Sequence, residues 1–376
     1  QIYKKNLANL LEKSDKIKIE SQFDEIVLRN IQSNLRLNDM TIDYFTDHNF
    51  SMPVKDFFDI LAGEGTFEYL EERVKFPPWE RRWQNSEKRQ EEDYSRINPF
   101  TEEAQKSARK WLPRIKQDIL DYGKSEGYLP HDFDMNILLL PPTNGAGWSS
   151  WNSKTKIFNL GSYGFEFFPE DDGVIAIPTR AYNEAFHEVI GHGAHQIHSE
   201  QVPYSLKLTE EIGSITPTKS ITEGIAINSE KKCYDFLRQR LEKLGLSEEN
   251  VAILEEENNL EQQSRREYVY YALTKDKEMR EEGFNGYEHI LQLTQNPVIA
   301  RNFKDDFKSN FIDVWRIIGH TLGPLHYQRM LDKVERELGK DYLESKEFHK
   351  ASLSGVWSWE VYPDAVSYFL KNKSHQ

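Results

Sequence analysis

Four histidines and one glutamate fall within fourteen residues, AFHEVIGHGAHQIH (185–198). Imidazole nitrogens and carboxylate oxygens are the donors that hold zinc and similar divalent ions. His187 and Glu188 begin what is nearly an H-E-x-x-H motif, in which two histidines one helical turn apart aim at one ion and the glutamate serves as base. Here Val189, Ile190 and Gly191 intervene, so His192 arrives one residue late. Each residue of an α-helix turns about 100°, which puts positions i and i+4 about 40° apart but i and i+5 about 140° apart. If both histidines bind one ion, the helix must widen by one residue between Glu188 and His192, with an i→i+5 hydrogen bond and Gly191 at or beside the irregularity. If it does not widen, the cluster is an ordinary set of surface or hydrogen-bonded helix histidines.

Other donor sets are poorer. His192, His195 and His198 lie three apart, drift around the helix and bring no base. Glu184 with His187 makes one half of a di-iron E-x-x-H pair, and the chain has no second copy of that spacing. A hydrolytic zinc site needs three protein donors, an open position and a carboxylate base. The third donor can come from SITEGIAINSEKK (220–232), where Glu223 sits near a helix start, 31 residues after His192. Acid at a helix start is favourable in any case, but beside the 187–192 pair the ligand reading is the better one. Glu230, seven positions on, shares the face of Glu223.

The elements around these residues set their placement. Residues 1 to about 130 read as helices, among them LANLLEKSDKIKIESQFDEIVLRNIQSNL and TEEAQKSARKWLPRIKQDILDYG, with apolar spacings of three and four. Thr101, followed by two glutamates, is a good helix start, and Pro113 is placed to kink that helix. FPPWERRW reads as a break. MNILLLPP (135–142), KTKIFNL (154–160) and GVIAIPT (173–179) are short strand candidates, and helical periodicity returns after Arg180. The expectation is a mainly α protein with one small β-sheet, an α+β fold in which the histidine helix follows the last strand. Residues 1–133 form an N-terminal helical region, and 134–376 form the zinc-binding catalytic region, packed with it as one unit. GWSSWNSKTKIFNLGSYG (147–164) is the candidate for an exposed strand edge that could bind substrate backbone; the plainer alternative is an ordinary hairpin with buried tryptophans.

AFHEVIGHGAHQ followed by TEGIAINSE resembles the gluzincin type of zinc metallopeptidase, with two histidines on one helix and a glutamate on the next. The six-residue HEVIGH is similar to the H-E-x-x-G-H motif of dipeptidyl peptidase III. The wider pattern is closer to a family of helical metallopeptidase-like proteins carrying H-E-x-x-P-G-H-H-x-Q and then E-G-W-A-x-Y-x-E. The C-terminal ELGKDYLESKEFHKASLSGVWSWEVYPDAV resembles that family's closing segment, and the likeness spans roughly residues 140 to 372. The proline before Gly191 is absent, Ile225 stands for tryptophan and Asn228 for tyrosine, which puts substrate preference in doubt more than zinc. The resemblance implies a gluzincin-like fold, with His187, His192 and Glu223 as zinc ligands and Glu188 as general base. Zinc lowers the pKa of its water to about 7, and a carboxylate beside a ligand is placed to take the proton.

A donor to the oxyanion of the tetrahedral intermediate is also needed. WRIIGHTLGPLHYQRM (315–330) offers His320, His326 and Tyr327. His320 falls where the family usually has tyrosine and is the first choice; Tyr327 is the second. Arg180, Arg316 and Arg329 are candidate anchors for a substrate terminus, and spacing singles out none of them.

Whole-chain properties bound the partners. With 376 residues, 38% hydrophobic and 12% aromatic, the chain can bury a substantial core. A formal charge of −14 argues against nucleic acid or an anionic membrane as main partner. One cysteine, Cys233, excludes an intrachain disulfide and a cysteine-based zinc cluster. No apolar run approaches the roughly 20 residues of a membrane helix, and a cytoplasmic location is the expectation. The expected function is a zinc-dependent peptidase acting on short peptides; the alternatives are a zinc hydrolase of non-peptide amides or esters and an inactive, peptidase-like binding protein.

Overall fold

The computed structural model describes residues 2–46, 52–74, 101–140, 149–161, 164–170, 173–201, 218–259, 262, 265, 266, 270 and 312–372. FPPWERRW lies outside them, as does the side chain of Arg316. Among these residues the protein is mainly helical with two small sheets. No described helix is long and apolar enough to cross a membrane. The chain forms two compact units, and neither is continuous in sequence. One comprises Gln1–Pro77, Ser199–Gly224 and Glu261–Gln376; the other comprises Pro78–His198 and Ile225–Leu260. The division after Gly224 falls inside a single unbroken helix, Lys219–Arg238.

In the first unit the N-terminal apolar stretch is two helices, Ile2–Ser14 and Gln22–Thr46, with residues 15–21 between them. Its best-defined joint is the end of the helix Val54–Ala62. Gly63, at φ 96°, terminates that helix in a conformation only glycine adopts freely. The last carbonyls of a helix lack intrahelical donors, and here side chains from elsewhere in the unit supply them. Trp359 Nε1 donates to Leu61 O at 2.8 Å, and Arg329 Nη1 donates to Ala62 O at 2.7 Å. His326 Nε2 reaches the same Ala62 oxygen at 2.8 Å, while its Nδ1 lies 2.9 Å from Ser220 Oγ. Asn30 joins the C-terminal segment in the same way, donating to Val356 O and accepting from Ser358 N.

In the second unit the three-stranded sheet has the order β1 (Asn136–Leu139), β3 (Ile157–Leu160), β2 (Ser150–Asn152). β1 runs parallel to β3, and β2 pairs antiparallel to it with Trp151 opposite Phe158. β4 (Glu166–Glu170) and β5 (Gly173–Ile177) form a separate antiparallel hairpin. The three strands read from the sequence are present, and the single sheet expected there is two. The TEEAQKSARKWLPRIKQDILDYG stretch is also two helices. Thr101 caps Glu102–Arg109 by accepting from Ala104 N, and Pro113 lies in the first turn of Leu112–Ser125. Proline is favoured there because its missing N–H has no helical acceptor, so it starts a helix rather than kinking one. Trp111 Nε1 ties the joint to Ala176 O of β5 at 2.8 Å. The unit's core packs Tyr122 against Phe186 at 4.8 Å and Phe186 against Phe236 at 5.3 Å, both as tilted ring pairs, joining three helices.

The His326 site generates a pH prediction. Ala62 O can only accept, so Nε2 carries the proton and neutral Nδ1 accepts from Ser220. Burial holds the ring neutral, pushing its pKa down to about 3, with Arg329 adding repulsion. A depressed folded-state pKa means the unfolded chain binds the proton first as pH falls below about 6.5. The contribution is therefore complete above that value and is lost progressively toward pH 3. Melting temperature between pH 7 and 4 should fall less steeply in His326→Gln than in the parent; equal slopes in thermal melts would show that His326 does not titrate this way.

Candidate metal centre

β5 leads through Pro178 into a helix made of three consecutive segments. Thr179–Ala185 is α, Phe186–Gly193 is π, and Ala194–Gln201 is α again. Ala194 N–H reaches Val189 O, an i→i+5 bond, and also Gly191 O. The helix is thus widened through the whole HEVIGH segment, as expected if the two histidines are to share one ion. His187 and His192 consequently share a face, with ring centroids 4.9 Å apart and planes at 81°.

Gly191 sits in the widened segment, yet the contact that requires it is external. A Cβ there would lie 2.5 Å from Ala226 Cα and 2.9 Å from Ala226 Cβ on the helix Lys219–Arg238. The two helices touch backbone to backbone at this point. Val189 and Ile190 flank the contact and are fully buried.

One turn before Ala226 on that helix is Glu223, whose side chain is 3% exposed. One donor atom from each of His187, His192 and Glu223 lies within 4.8 Å of the other two. Tetrahedral zinc with bonds of 2.0–2.1 Å places its ligand atoms about 3.4 Å apart, a difference within the reach of side-chain torsions. Two imidazoles and a carboxylate are a donor set suited to a divalent transition ion. This group can hold a metal ion.

Glu223 is itself positioned by the helix Ile312–Leu338. Gly224 and Gly323 meet there, since a Cβ on Gly224 would lie 2.3 Å from Gly323 O and one on Gly323 would lie 2.4 Å from Ser220 O. Pro324 follows within the helix; lacking an N–H, it releases the carbonyl of His320 from its i→i+4 bond. The crossing brings His320 Nε2 to 3.2 Å from Glu223 Oε2.

Glu188 is held from the sheet. Its Oε2 accepts from Trp151 N at 3.0 Å. Trp151 and Phe158 form a pair whose N–H and C=O groups point away from each other, so this donor lies on the outer edge of β2. The 147–164 stretch therefore does contain an edge strand, with its one outward N–H turned to Glu188. Two further residues were not assigned a role from the sequence. Glu230 Oε1 lies 2.5 Å from His187 Nδ1, and the seven-residue spacing from Glu223 is the signal for it. Glu184, one turn before His187, is pushed up to about 7 by burial, against the pull of His187 and Arg180 and with the nearby Glu230 and Glu188 adding to the rise.

The remaining candidates are engaged elsewhere. Tyr327 is buried in the first unit, with Ser352 as hydrogen-bond partner and Tyr362 as ring neighbour at 6.4 Å. His326 and Arg329 serve the helix end at Ala62. Arg180 is ion-paired with Glu257. His198 Nε2 is 3.0 Å from Tyr128 O in the second unit.

Gly191→Ala tests the helix contact. The added methyl meets backbone rather than a movable side-chain end, so the two helices must separate. Overpacking of this kind costs on the order of 1–3 kcal/mol. The expected result is a lower melting temperature together with weaker metal binding by competition titration; wild-type values for both would mean the contact does not set the site.

No family model and no curated protein matches the sequence. Among solved structures, a protein described as the putative lipoprotein from Colwellia psychrerythraea matches with a TM-score of 0.48 and 14% identity. The alignment covers 99% of this chain and 55% of that one, so the chain spans about half the length of that structure.

Proposed function

We propose that the protein is a zinc-dependent peptidase of the gluzincin type, acting on short peptides. The observation that carries the reading is the convergence of His187, His192 and Glu223 within 4.8 Å, beside the Glu188 carboxylate held by an N–H of strand β2. A zinc ion held by these three residues would act as a Lewis acid and lower the pKa of a water molecule to about 7.

The chain's own residues supply the rest. Trp151 N–H occupies Glu188 Oε2 and orients the carboxylate, leaving Oε1 to take a proton from the attacking water and pass it to the leaving amine. The Trp151 carbonyl lies on the same outer edge of β2; it offers one acceptor to an extended peptide, which is the feature that favours a peptide over a simple ester. His320 Nε2, beside the Glu223 carboxylate, is the donor we assign to the developing oxyanion.

Metal analysis and a quenched-peptide panel test this directly. One zinc per chain is expected, and Glu223→Gln should lose it; full zinc occupancy in that variant would remove the assignment. Glu188→Gln should keep its metal and lose at least about 100-fold in turnover, and normal turnover would mean another base acts. N-acyl amino acids run beside the peptides identify a hydrolase of other amides if they alone are cleaved.

His320→Ala should cost about 100-fold or more in kcat with zinc content unchanged. A penalty of that size in Tyr327→Phe and none in His320→Ala would transfer the donor role to Tyr327.

A further inference from the structure

We infer that Arg180 is the anchor for a free C-terminal carboxylate, so that the site releases short C-terminal fragments from peptides. The inference rests on the peptidase reading and names its substrate class. Between Thr179 and Glu188 only Arg180, Glu184, His187 and Glu188 are partly exposed, and every other residue of that run is buried. Those four positions follow the spacing of one helical face, i, i+4, i+7 and i+8. An open stripe therefore leads along the histidine helix from the candidate metal centre back to Arg180. Glu184 lies midway, within electrostatic range of Arg180 on one side and of His187 and Glu188 on the other. Of the three arginines that the sequence offers as anchors, Arg329 is engaged at the helix end by Ala62, and the side chain of Arg316 lies outside the described residues.

The ion pair with Glu257 orients Arg180 and does not exhaust it. Glu257, on the helix 248–259, is the covered partner, with its side chain 14% exposed, and Arg180 is the open one at 39%. The pair runs through one nitrogen, Nη2 donating to Glu257 Oε2. Among the described residues no other hydrogen bond reaches the guanidinium. A guanidinium presents five N–H donors in a fixed plane and binds a carboxylate through two of them. Glu257 holds that plane, and the remaining donors suit a second carboxylate. Glu184 and Glu166 add negative charge around the group, so recognition depends on directed hydrogen bonds rather than on net charge. Arg180 precedes His187 by seven residues, two turns and about 10.5 Å in rise. An extended peptide advances about 3.3 Å per residue, so two or three residues fit between the scissile bond and the anchor.

Matched hexapeptides with a free or an amidated C-terminus test this on the zinc-loaded full chain, with products identified by mass spectrometry. The parent should release dipeptides or tripeptides and prefer the free acid by about 10–100-fold in kcat/KM, the range expected of a charged hydrogen-bond pair. In Arg180→Ala the ratio of acid to amide should fall toward unity with zinc content unchanged. An arginine that merely supported folding would slow both substrates alike and leave the ratio as it was. Arg180→Lys keeps a cation opposite Glu257 without the planar fork, so its ratio should be intermediate; it carries the test if the alanine variant does not fold. Equal turnover of acid and amide by the parent would overturn the inference, as would a parental ratio in either folded variant. A parent that cleaves no peptide would instead overturn the peptidase reading. Calorimetric binding of a free tripeptide and of its amide then decides Arg180: tighter binding of the acid by the parent and not by the variants upholds the anchor, and equal binding removes it.

Discussion

The contact between Gly191 and Ala226 is the constraint on which the placement of the His187, His192 and Glu223 donor group depends. It brings the histidine helix and the helix Lys219–Arg238 together with nothing larger than the Ala226 methyl between them. Backbone-to-backbone approach leaves little room for sliding, because a shift in either direction drives a methyl into a peptide plane. The donors on both sides of the contact inherit that precision. His187 and His192 flank Gly191 on one helix, while Glu223 and Glu230 flank Ala226 on the other.

A second glycine contact acts on the same long helix. Gly224 against Gly323 fixes where the helix Ile312–Leu338 crosses, and so brings His320 to the Glu223 carboxylate. The burial of Glu223 would otherwise be costly, since a carboxylate withdrawn from water needs a partner or an ion. His320 supplies one neighbour, and a bound cation would supply the stronger one. Ser220, one turn before Glu223, is held by His326, which also serves the helix end at Ala62. The position of Glu223 is therefore rooted in the first unit's core, at the end of a helix some 160 residues earlier in the chain.

The π segment illustrates how packing overrules local preference. Widening a helix loses regular i→i+4 bonds, and such segments are rare and concentrated at functional sites. Here Phe186, Val189 and Ile190 are all fully buried along it, so the apolar residues find core positions in the widened register. The same register places two imidazoles on one face. A regular helix would satisfy the backbone more cheaply and would separate the histidines by about 140°.

Several features followed from the sequence alone, because each depends on contacts within a few residues. The one-residue delay of His192 pointed to a widened helix if the two histidines share an ion, three strands were marked by short β-branched or apolar runs, and Thr101 was recognisable as a cap. Glu223 as partner to the histidines was legible from a motif and its spacing. Other features were decided only by tertiary structure. Gly191 reads as a device for the helix's own geometry, yet its necessity comes from Ala226, 35 residues away. Pro113 reads as a kink and proves to begin a helix, because a turn at Lys110–Trp111 precedes it. The edge-strand N–H on Glu188, the carboxylate on His187 and the burial of Tyr327 leave no local trace. A hydrogen bond across 37 or 43 residues has no periodicity to betray it; it exists only once the helices and strands have packed.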